Sequence, residues 1–289
     1  MQLDPIAVEA GVRLETFAAT GSTNAEARLR ARQGESGPLW ITAEEQTAGR
    51  GRRGRSWISP PGNLYASLLL SDPSKFHRAP ELAFVAALAL RDAIVVEAPA
   101  LAPELRFKWP NDLMLSAKKC AGILIEGEVG MEGESSKTKR VTVIIGIGVN
   151  CVTHPMETSG GGTVSQSSPP LGEDMVAFPA TDLLAHGADI APRQLFQRLS
   201  ATMVRRISQW DHGNGFSAIL GDWLTWASGI GEEITVRDGV TEMQGRFVGI
   251  DQSGHLVLGL PGGGVKKISA GDVFPFSVRN GRRIWSAWT

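Results

Sequence analysis

The spacing of apolar positions divides the chain into a long first region with strand-length and helix-length patterns and a final region of short strands. Apolar runs bounded by turn residues favour strands, whereas a long apolar run opened by proline favours a helix. In the first region these patterns predict strands at 39–46 and 63–70, a helix from Pro80 to about Ala98, antiparallel strands within 104–129, and an apolar strand ending at Asn150.

Residues 21–34, GSTNAEARLRARQG, have the composition of a short helix with signals at both ends. Ser22 or Thr23 can cap its first turn, and Glu26 follows Thr23 at the spacing of a capping box. Gly34 can end the helix because glycine tolerates left-handed backbone angles. We therefore predict a capped helix across this segment.

The second half of the chain predicts two further helices and then a change to β-structure. The helical patterns cover 192–213 and 215–229, after a segment rich in Gly, Ser and Pro at 153–180 that predicts a long irregular loop. Beyond Gly229, turn residues interrupt the apolar runs about every ten positions, which is typical of a small β-barrel. The last of the short strands predicted there is a single run at 265–274. We predict two domains, 1–229 and 230–289.

Composition narrows the class of protein. The 29 basic and 30 acidic side chains nearly cancel, so any anion site must be local. Cys120 and Cys151 lie in apolar segments and are predicted to be buried small hydrophobes rather than disulfide or metal ligands. Arg91 and Asp92 interrupt the most apolar helix, which favours burial over a membrane span. The N-terminus has no signal-peptide pattern, so we expect a cytoplasmic protein.

One local concentration of charge stands out at residues 49–55, GRGRRGR, with four arginines and three glycines. The glycines allow close backbone approach to a ligand, and guanidinium groups match phosphate and carboxylate oxygens. Without a ligand the loop should be flexible and self-repelling, and an anion should order it. A solvated basic loop and an Arg-Gly box for nucleic acid are the alternatives.

Four motifs in order make this chain resemble the biotin protein ligases. They are GRGRRGRSW at 49–57, KWPND at 108–112, KKCAGILIE at 118–126 and GIGVN at 146–150. The likeness is strong from about residue 15 to 150 and weaker through the final β-region. It implies an α+β fold: a mixed, largely antiparallel sheet with flanking helices, as in class II aminoacyl-tRNA synthetases, followed by a small SH3-like β-barrel.

The resemblance also implies a reaction. Biotin ligases use ATP to activate biotin as biotinyl-5′-AMP and then transfer biotin to a lysine of the biotin carboxyl carrier protein of acetyl-CoA carboxylase or a related carboxylase. Mg²⁺ would accompany ATP, with ligands that the sequence does not identify. The STN motif begins at residue 22, which leaves no room for a DNA-binding domain before it. We therefore expect no DNA or membrane partner, and either a monomer or a homodimer.

The resemblance assigns roles to particular residues. The implied catalytic residues are Arg52, Lys119 and Asp112. The implied biotin-binding residues are Ser22, Thr23, Asn24, Gln46, Arg50, Gly51, Arg52, Lys119 and Gly122. The implied ATP-binding residues are Arg50, Arg52, Arg53, Trp57, Lys108, Asn111 and Asn150.

Simpler explanations stay open for several of these residues. Arg53 could almost equally well be an ordinary surface charge, and Trp57 could be an aromatic residue of the core. For the whole protein, lipoyl or octanoyl ligation is the close alternative because it uses a related fold and a similar acyl-adenylate. A nucleic-acid-binding module is the alternative from another class, and it predicts salt-sensitive binding.

Overall fold

The computed structural model describes residues 1–131, 139–155, 179–238 and 241–275, with the backbone of two short paired strands, Val278–Arg279 and Arg282–Arg283. Most of the predicted irregular loop, residues 156–178, lies outside the described residues. So do the chain's last six residues, 284–289.

A seven-stranded mixed sheet forms the larger part of the molecule. Its strands are β1 (Arg13–Thr20), β2 (Leu39–Gln46), β3 (Leu64–Ser71), β4 (Leu105–Lys108), β5 (Asp112–Leu115), β6 (Lys118–Met131) and β7 (Lys139–Val149). Their order across the sheet is β1-β2-β3-β7-β6-β5-β4. Only β1 and β2 pair in parallel, and the other neighbours are antiparallel. This confirms the predicted antiparallel succession of β4 to β6.

Within the part of the chain that the structure describes, five α-helices accompany this sheet. They are α1 (Pro5–Glu9), α2 (Thr23–Arg32), α3 (Leu82–Glu97), α4 (Pro192–Trp210) and α5 (Phe216–Thr225). Aromatic pairs join the last two to the strands: Trp40 meets Phe196 edge-on at 5.5 Å, and Phe107 stacks on Trp223 at 5.5 Å. Such pairs add to the gain from apolar burial.

The apolar helix α3 is buried, as predicted. Most of its side chains are inaccessible, and even Arg91 is only 6% exposed. The Arg91 guanidinium lies 3.5 Å from the centroid of the Trp226 ring and donates to the Ala102 carbonyl, which compensates its burial. Among the described residues, no helix has both the length and the apolar character needed to cross a bilayer.

The chain then forms a second, five-stranded antiparallel sheet. Its strands are β8 (Glu233–Asp238), β9 (Thr241–Ile250), β10 (Leu256–Gly259), β11 (Val265–Ile268) and β12 (Asp272–Pro275), in the order β11-β10-β9-β8-β12. The single run predicted at 265–274 is two strands, because residues 269–271 form a turn that carries β12 to the far side of β8. The predicted α+β class is confirmed.

Two features near the N-terminus differ from the prediction. Glu26 does not close a capping box: its carboxylate accepts a hydrogen bond from Thr20, and Ser22 is the N-cap without a side-chain cap bond. Gly34 does end the helix, at a φ of 91°. The sequence patterns did not reveal α1, which has five residues, or β1, whose burial pattern does not alternate.

Candidate active site

The arginine–glycine loop connects β2 to β3 and is closed at its base by backbone pairing. Gln46 pairs with Ser59, and Arg50 pairs with Ser56. Gly49 lies where a side chain would collide: a Cβ there would be 2.4 Å from the Trp57 carbonyl oxygen and 2.5 Å from Ser59 Oγ. Glycine at position 49 is therefore a packing requirement of the folded loop.

Each arginine of the loop has a carboxylate within 4.0 Å. Arg53 lies 2.9 Å from Asp238, and Arg55 lies 2.7 Å from Asp272, both on the second sheet. The expectation of a self-repelling loop is wrong, because these carboxylates supply counter-charges that lie far away in the sequence. The pairing also disfavours the nucleic-acid alternative, since much of the charge is already neutralised within the protein.

Arg52 is the most enclosed of the four arginines. Its guanidinium donates to Asn111 Oδ1 at 3.0 Å and to the Gly271 carbonyl at 3.4 Å. Burial lowers the pKa of Arg52 from its ordinary value, and the nearby carboxylates of Asp272 and Asp112 oppose that change. The guanidinium remains a cation, as arginine does throughout proteins. Asn111 in turn donates to the Ile123 carbonyl at 2.6 Å.

Lys119, Asp112 and Lys108 form a charged cluster beneath the loop. Lys119 Nζ lies 2.5 Å from Asp112 Oδ1, and Lys108 Nζ lies 3.6 Å from Asp112 Oδ2. Burial alone would raise the pKa of Asp112, but the two ammonium groups outweigh it and hold that pKa below its usual value. Burial lowers the pKa of Lys108, against the attraction of Asp112. Asp112 is therefore an ionised carboxylate between two lysines.

Trp57 lies across strands β6 and β7 at two glycines. A Cβ on Gly148 would be 2.6 Å from Trp57 Nε1, and one on Gly122 would be 3.2 Å from the indole ring. Lys119 Nζ lies 5.3 Å from the ring centroid, over its face. The two glycines thus leave space for an indole that contacts the charged cluster.

The STN motif opens α2 and is buried against the sheet. Ser22, Thr23 and Asn24 are each at most 5% exposed. The backbone N–H and the hydroxyl of Thr23 donate to Gln46 Oε1 at 2.9 and 3.1 Å, which joins two positions that the family resemblance had named separately. Gln46 therefore has the buried partner that its amide requires.

Three polar residues at this site were missed from the sequence. Ser67 donates to Asn24 Oδ1 and its oxygen lies 2.7 Å from Thr23 Oγ1, Ser59 accepts from Gln46, and Glu126 accepts from Asn24 Nδ2 at 2.8 Å. Ser59 immediately precedes the turn at 60–62, and Ser67 lies inside an apolar strand. Glu126 ends the KKCAGILIE motif but had no assigned role. The interruption of an apolar strand by Ser67 is the one signal that could have identified it.

Arg50 and Asn150 lie at the edges of this arrangement. Arg50 Nη2 is 4.0 Å from Glu126, at the side nearest α2. Asn150 is 2% exposed and donates through Nδ2 to the Thr181 carbonyl at 2.9 Å, so the fold itself uses its amide. The Gly51 N–H donates to the Arg55 carbonyl at 2.7 Å and is likewise engaged within the loop.

Both cysteines are buried, as predicted. The Cys120 thiol faces the Leu113 carbonyl, and that of Cys151 the Val149 carbonyl. Burial raises the pKa of each thiol to about 12. Neither thiol is therefore a nucleophile at neutral pH.

The arrangement as a whole brings Arg52, Lys119 and Lys108 together around one ionised carboxylate. Such fixed cations, partly shielded from water, stabilise negative charge that develops on a bound reactant. The described residues contain no group of three or more His, Cys, Asp and Glu side chains with the geometry of a metal site. The arrangement is suited to anionic substrates that react with one another.

Comparison with known proteins identifies a class of enzyme that such an arrangement would suit. Residues 17–150 match the biotin/lipoate A/B protein ligase family, and residues 229–274 match the biotin protein ligase C-terminal domain. A biotin--[acetyl-CoA-carboxylase] ligase of Paracoccus denitrificans is 39% identical over 258 residues, covering 89% of this chain and 98% of the relative. One from Mycobacterium tuberculosis is 31% identical, covering 90% and 88%.

A solved structure agrees with these relatives. The biotin protein ligase from Aquifex aeolicus in complex with biotin and ATP superposes with a TM-score of 0.65 at 26% identity, covering 90% of this chain and 97% of that one. The fold, the matched regions and the relatives together define a ligase of the biotin and lipoate class. The chain belongs to the biotin/lipoate A/B protein ligase family, within its biotin protein ligase branch.

Proposed function

We propose that this enzyme activates biotin with ATP as biotinyl-5′-AMP and transfers biotin to a lysine of the biotin carboxyl carrier protein of acetyl-CoA carboxylase or a related carboxylase. The names of two relatives at 39% and 31% identity support the acceptor, and the Aquifex complex supports the substrates. The observation that carries the proposal is the convergence of Arg52, Lys119 and Lys108 beside the STN–Gln46 cluster.

The first step brings two anions together, which Coulomb repulsion opposes. A biotin carboxylate oxygen attacks the α-phosphorus of ATP, a new P–O bond forms, and pyrophosphate leaves. Arg52 and Lys119 offset the negative charge that accumulates at the phosphorus and on the carboxylate, and Arg50 and Arg53 extend the same positive field. No enzyme nucleophile is needed, because positioning and fixed charge suffice.

In the second step, the neutral amine of the acceptor lysine attacks the biotinyl carbonyl, and AMP leaves. Asp112 is the carboxylate nearest to this reaction. Its lowered pKa makes it a weak base, so its main role is to attract and orient the acceptor amine. Lys119 stabilises the negative oxygen that forms during attack. The C–O bond between the biotinyl carbonyl and AMP breaks as the amide forms, AMP leaves with the bonding electrons, and the proton lost by the amine nitrogen passes to the departing phosphate or to water.

The remaining assignments of the site are part of this proposal. Ser22, Thr23, Asn24, Gln46, Gly51 and Gly122 would bind biotin, and Trp57, Lys108, Asn111 and Asn150 would contact the nucleotide. Mg²⁺ would neutralise the triphosphate, with phosphate oxygens and water as most of its ligands. Among the described carboxylates at the site, Asp112 and Asp272 already pair with lysine or arginine, which argues against a dedicated metal cage.

We also propose a division of the chain near residue 229. The last helix of the first part, α5, ends at Thr225, and β8 of the second sheet begins at Glu233. A cytoplasmic location, action without DNA, and a monomeric or homodimeric state belong to the same proposal.

Biotin-dependent exchange of labelled pyrophosphate into ATP tests the first step directly. Biotin should support exchange and lipoate should not, and exchange with lipoate alone would overturn the proposal in favour of lipoyl ligation. Mass spectrometry of a carrier domain after incubation with biotin and ATP tests the second step. The acceptor should gain one biotinyl group, and a Lys→Arg acceptor should gain none.

A further inference from the structure

Ser59 is a buried serine that contacts none of the charged groups, yet it is bonded to Gln46. We propose that Ser59 is a positioning residue: it fixes which end of the Gln46 amide faces Thr23, and so selects a ligand whose ring group accepts a hydrogen bond from Gln46. This inference rests on the proposed function, because the ligand group in question is the urea carbonyl of biotin.

The donors and acceptors of these hydrogen bonds can be assigned starting from the Trp57 carbonyl oxygen, which can only accept. Ser59 Oγ lies 2.8 Å from it and therefore donates its one proton there. The Ser59 oxygen can then only accept from its other neighbour, and Gln46 Nε2 lies 2.9 Å away. Ser59 is 5% exposed, so water does not readily replace either partner.

The Gln46 amide is consequently oriented with its carbonyl oxygen toward α2. That oxygen accepts both the backbone N–H and the hydroxyl of Thr23. A reversed amide would place its NH₂ against the Thr23 backbone N–H, which can only donate, and its oxygen against the lone pairs of Ser59. Both of these hydrogen bonds would be lost, so the orientation is strongly determined.

A second chain of bonds meets the first at Thr23. The Glu126 carboxylate can only accept, and Asn24 Nδ2 donates to it at 2.8 Å. Asn24 Oδ1 therefore faces Ser67 and accepts its one hydroxyl proton at 2.6 Å, while Ser67 Oγ lies 2.7 Å from Thr23 Oγ1. The Thr23 hydroxyl is thus shared between Ser67 and Gln46, and the Thr23 backbone N–H, which can only donate, is the group that fixes the Gln46 oxygen toward α2.

Glycines beside these residues hold the arrangement in place. A Cβ on Gly49 would be 2.5 Å from Ser59 Oγ and 3.1 Å from Gln46 Nε2, and one on Gly146 would be 2.2 Å from Asn24 Oδ1. Both amides are thus packed against main chain without room to rotate. Gln46 keeps one Nε2 proton that no protein acceptor uses in this network, and Gln46 and Ser59 line the same open groove.

A free N–H donor at this position recognises a carbonyl oxygen and rejects a second donor. Biotin offers a urea carbonyl, whereas 2-iminobiotin has a guanidine there and presents N–H groups. A site built around a specific hydrogen bond discriminates strongly against an analogue that cannot form it. The wild-type enzyme should therefore favour biotin, and releasing the Gln46 amide should weaken that preference.

The test measures kcat/KM for pyrophosphate exchange with biotin and with 2-iminobiotin. Ser59→Ala should reduce the biotin-to-iminobiotin ratio by about tenfold, the equivalent of one lost directing hydrogen bond. Ser59→Thr should restore the ratio, and Ser56→Ala, an exposed serine of the same loop, should leave it unchanged. The positive charge of iminobiotin affects all variants equally and cancels in the comparison.

The outcomes separate the two proposals. Absence of biotin-dependent exchange in the wild type would reject the proposed function. Normal exchange with an unchanged ratio in a folded Ser59→Ala enzyme would reject only the role of Ser59. If Ser59→Ala does not fold, the wild-type Gln46 side-chain amide resonances decide: one proton should exchange slowly and the other should shift with biotin, and equal fast exchange of both protons would overturn the inference.

Discussion

The Arg55 guanidinium donates to both carboxylate oxygens of Asp272, at 2.7 and 2.9 Å. Both bonds come from Nη2, and this pair joins the arginine loop of the first sheet to strand β12 of the second. Arg53 adds a longer contact with the same carboxylate at 3.6 Å. Arg52 also lies 3.9 Å from Asp272, so one acidic residue of the second sheet lies within 4.0 Å of three of the loop's four arginines.

Asp272→Asn should therefore loosen the loop without unfolding the protein. The pair is partly exposed, so the free energy of unfolding should fall by no more than about 1 kcal/mol. Tryptic cleavage within residues 50–55 should accelerate about fivefold, since about 1 kcal/mol changes a population by that factor. Asp238→Asn is the matched control: its carboxylate is 57% exposed and should matter less. Equal cleavage rates in all three proteins would contradict this view.

Lys119→Ala should abolish adenylation while the protein stays folded. The variant removes an ammonium that offsets developing charge, and loss of one such group typically costs at least about 100-fold in kcat. Asp112 would keep Lys108 as a partner, so a large loss of stability is not expected. Exposed Lys118, next in sequence, provides the control, and Lys118→Ala should exchange pyrophosphate normally. Near-normal exchange by Lys119→Ala would refute its role.

Gly148→Ala should displace Trp57. The added methyl would lie 2.6 Å from Trp57 Nε1, closer than any real Cβ contact allows. The indole must move away from Lys119, so KM for biotin and ATP should rise by at least about tenfold, a cost comparable to other overpacked sites. Gly249→Ala tests the general effect of alanine on a strand, because no atom lies within 4 Å of the added methyl. Matching kinetics for both variants would exclude the proposed contact.

Asp251→Asn should change how stability depends on pH. Burial opposes ionisation of Asp251, but bonds from Lys267, Ser253 and His255 lower the pKa of this carboxyl to about 2. Because the folded pKa lies below the unfolded value of about 4, the carboxylate stabilises the fold above pH 4. That contribution disappears as the pH falls toward 2.

Urea titrations of wild type and Asp251→Asn at several pH values measure this effect. The wild-type advantage should be on the order of 1 kcal/mol at pH 7 and should approach zero near pH 2. Asparagine retains an oxygen that can accept from the backbone N–H groups of Ser253 and His255, so the difference isolates the charge. An advantage that stays constant down to pH 2 would show that the charge is not responsible.

The sequence was informative wherever local periodicity decides structure. Strand β2 begins and ends where its apolar pattern does, and α3 begins two residues after Pro80. Local patterns could not predict that β1 pairs in parallel with β2, because that pairing depends on how α2 returns the chain to the sheet. The division of 265–274 into β11 and β12 was missed for a related reason. β11 pairs with β10 and β12 pairs with β8, and this change of partner cannot be read from the local sequence.

The family motifs found the charged groups of the site but not their partners. Lys119 and Asp112 were both named, yet their 2.5 Å contact depends on the register between β5 and β6. Asp238 and Asp272 lie more than a hundred residues beyond the loop and carry no motif. Residues that orient others, such as Ser59, have ordinary chemistry and become recognisable only when both of their hydrogen-bond partners are known.

The dependence of the arginine loop on strand β12 has a consequence for biosynthesis. Residues 49–55 leave the ribosome more than two hundred positions before Asp272, so a growing polypeptide exposes this cationic loop before its acidic counterpart has been translated. Chains that terminate before residue 272 would keep the contacts of Arg50 with Glu126 and of Arg53 with Asp238 but would lack the acidic partner of Arg55. The loop therefore gains its last counter-charge only when translation is nearly complete.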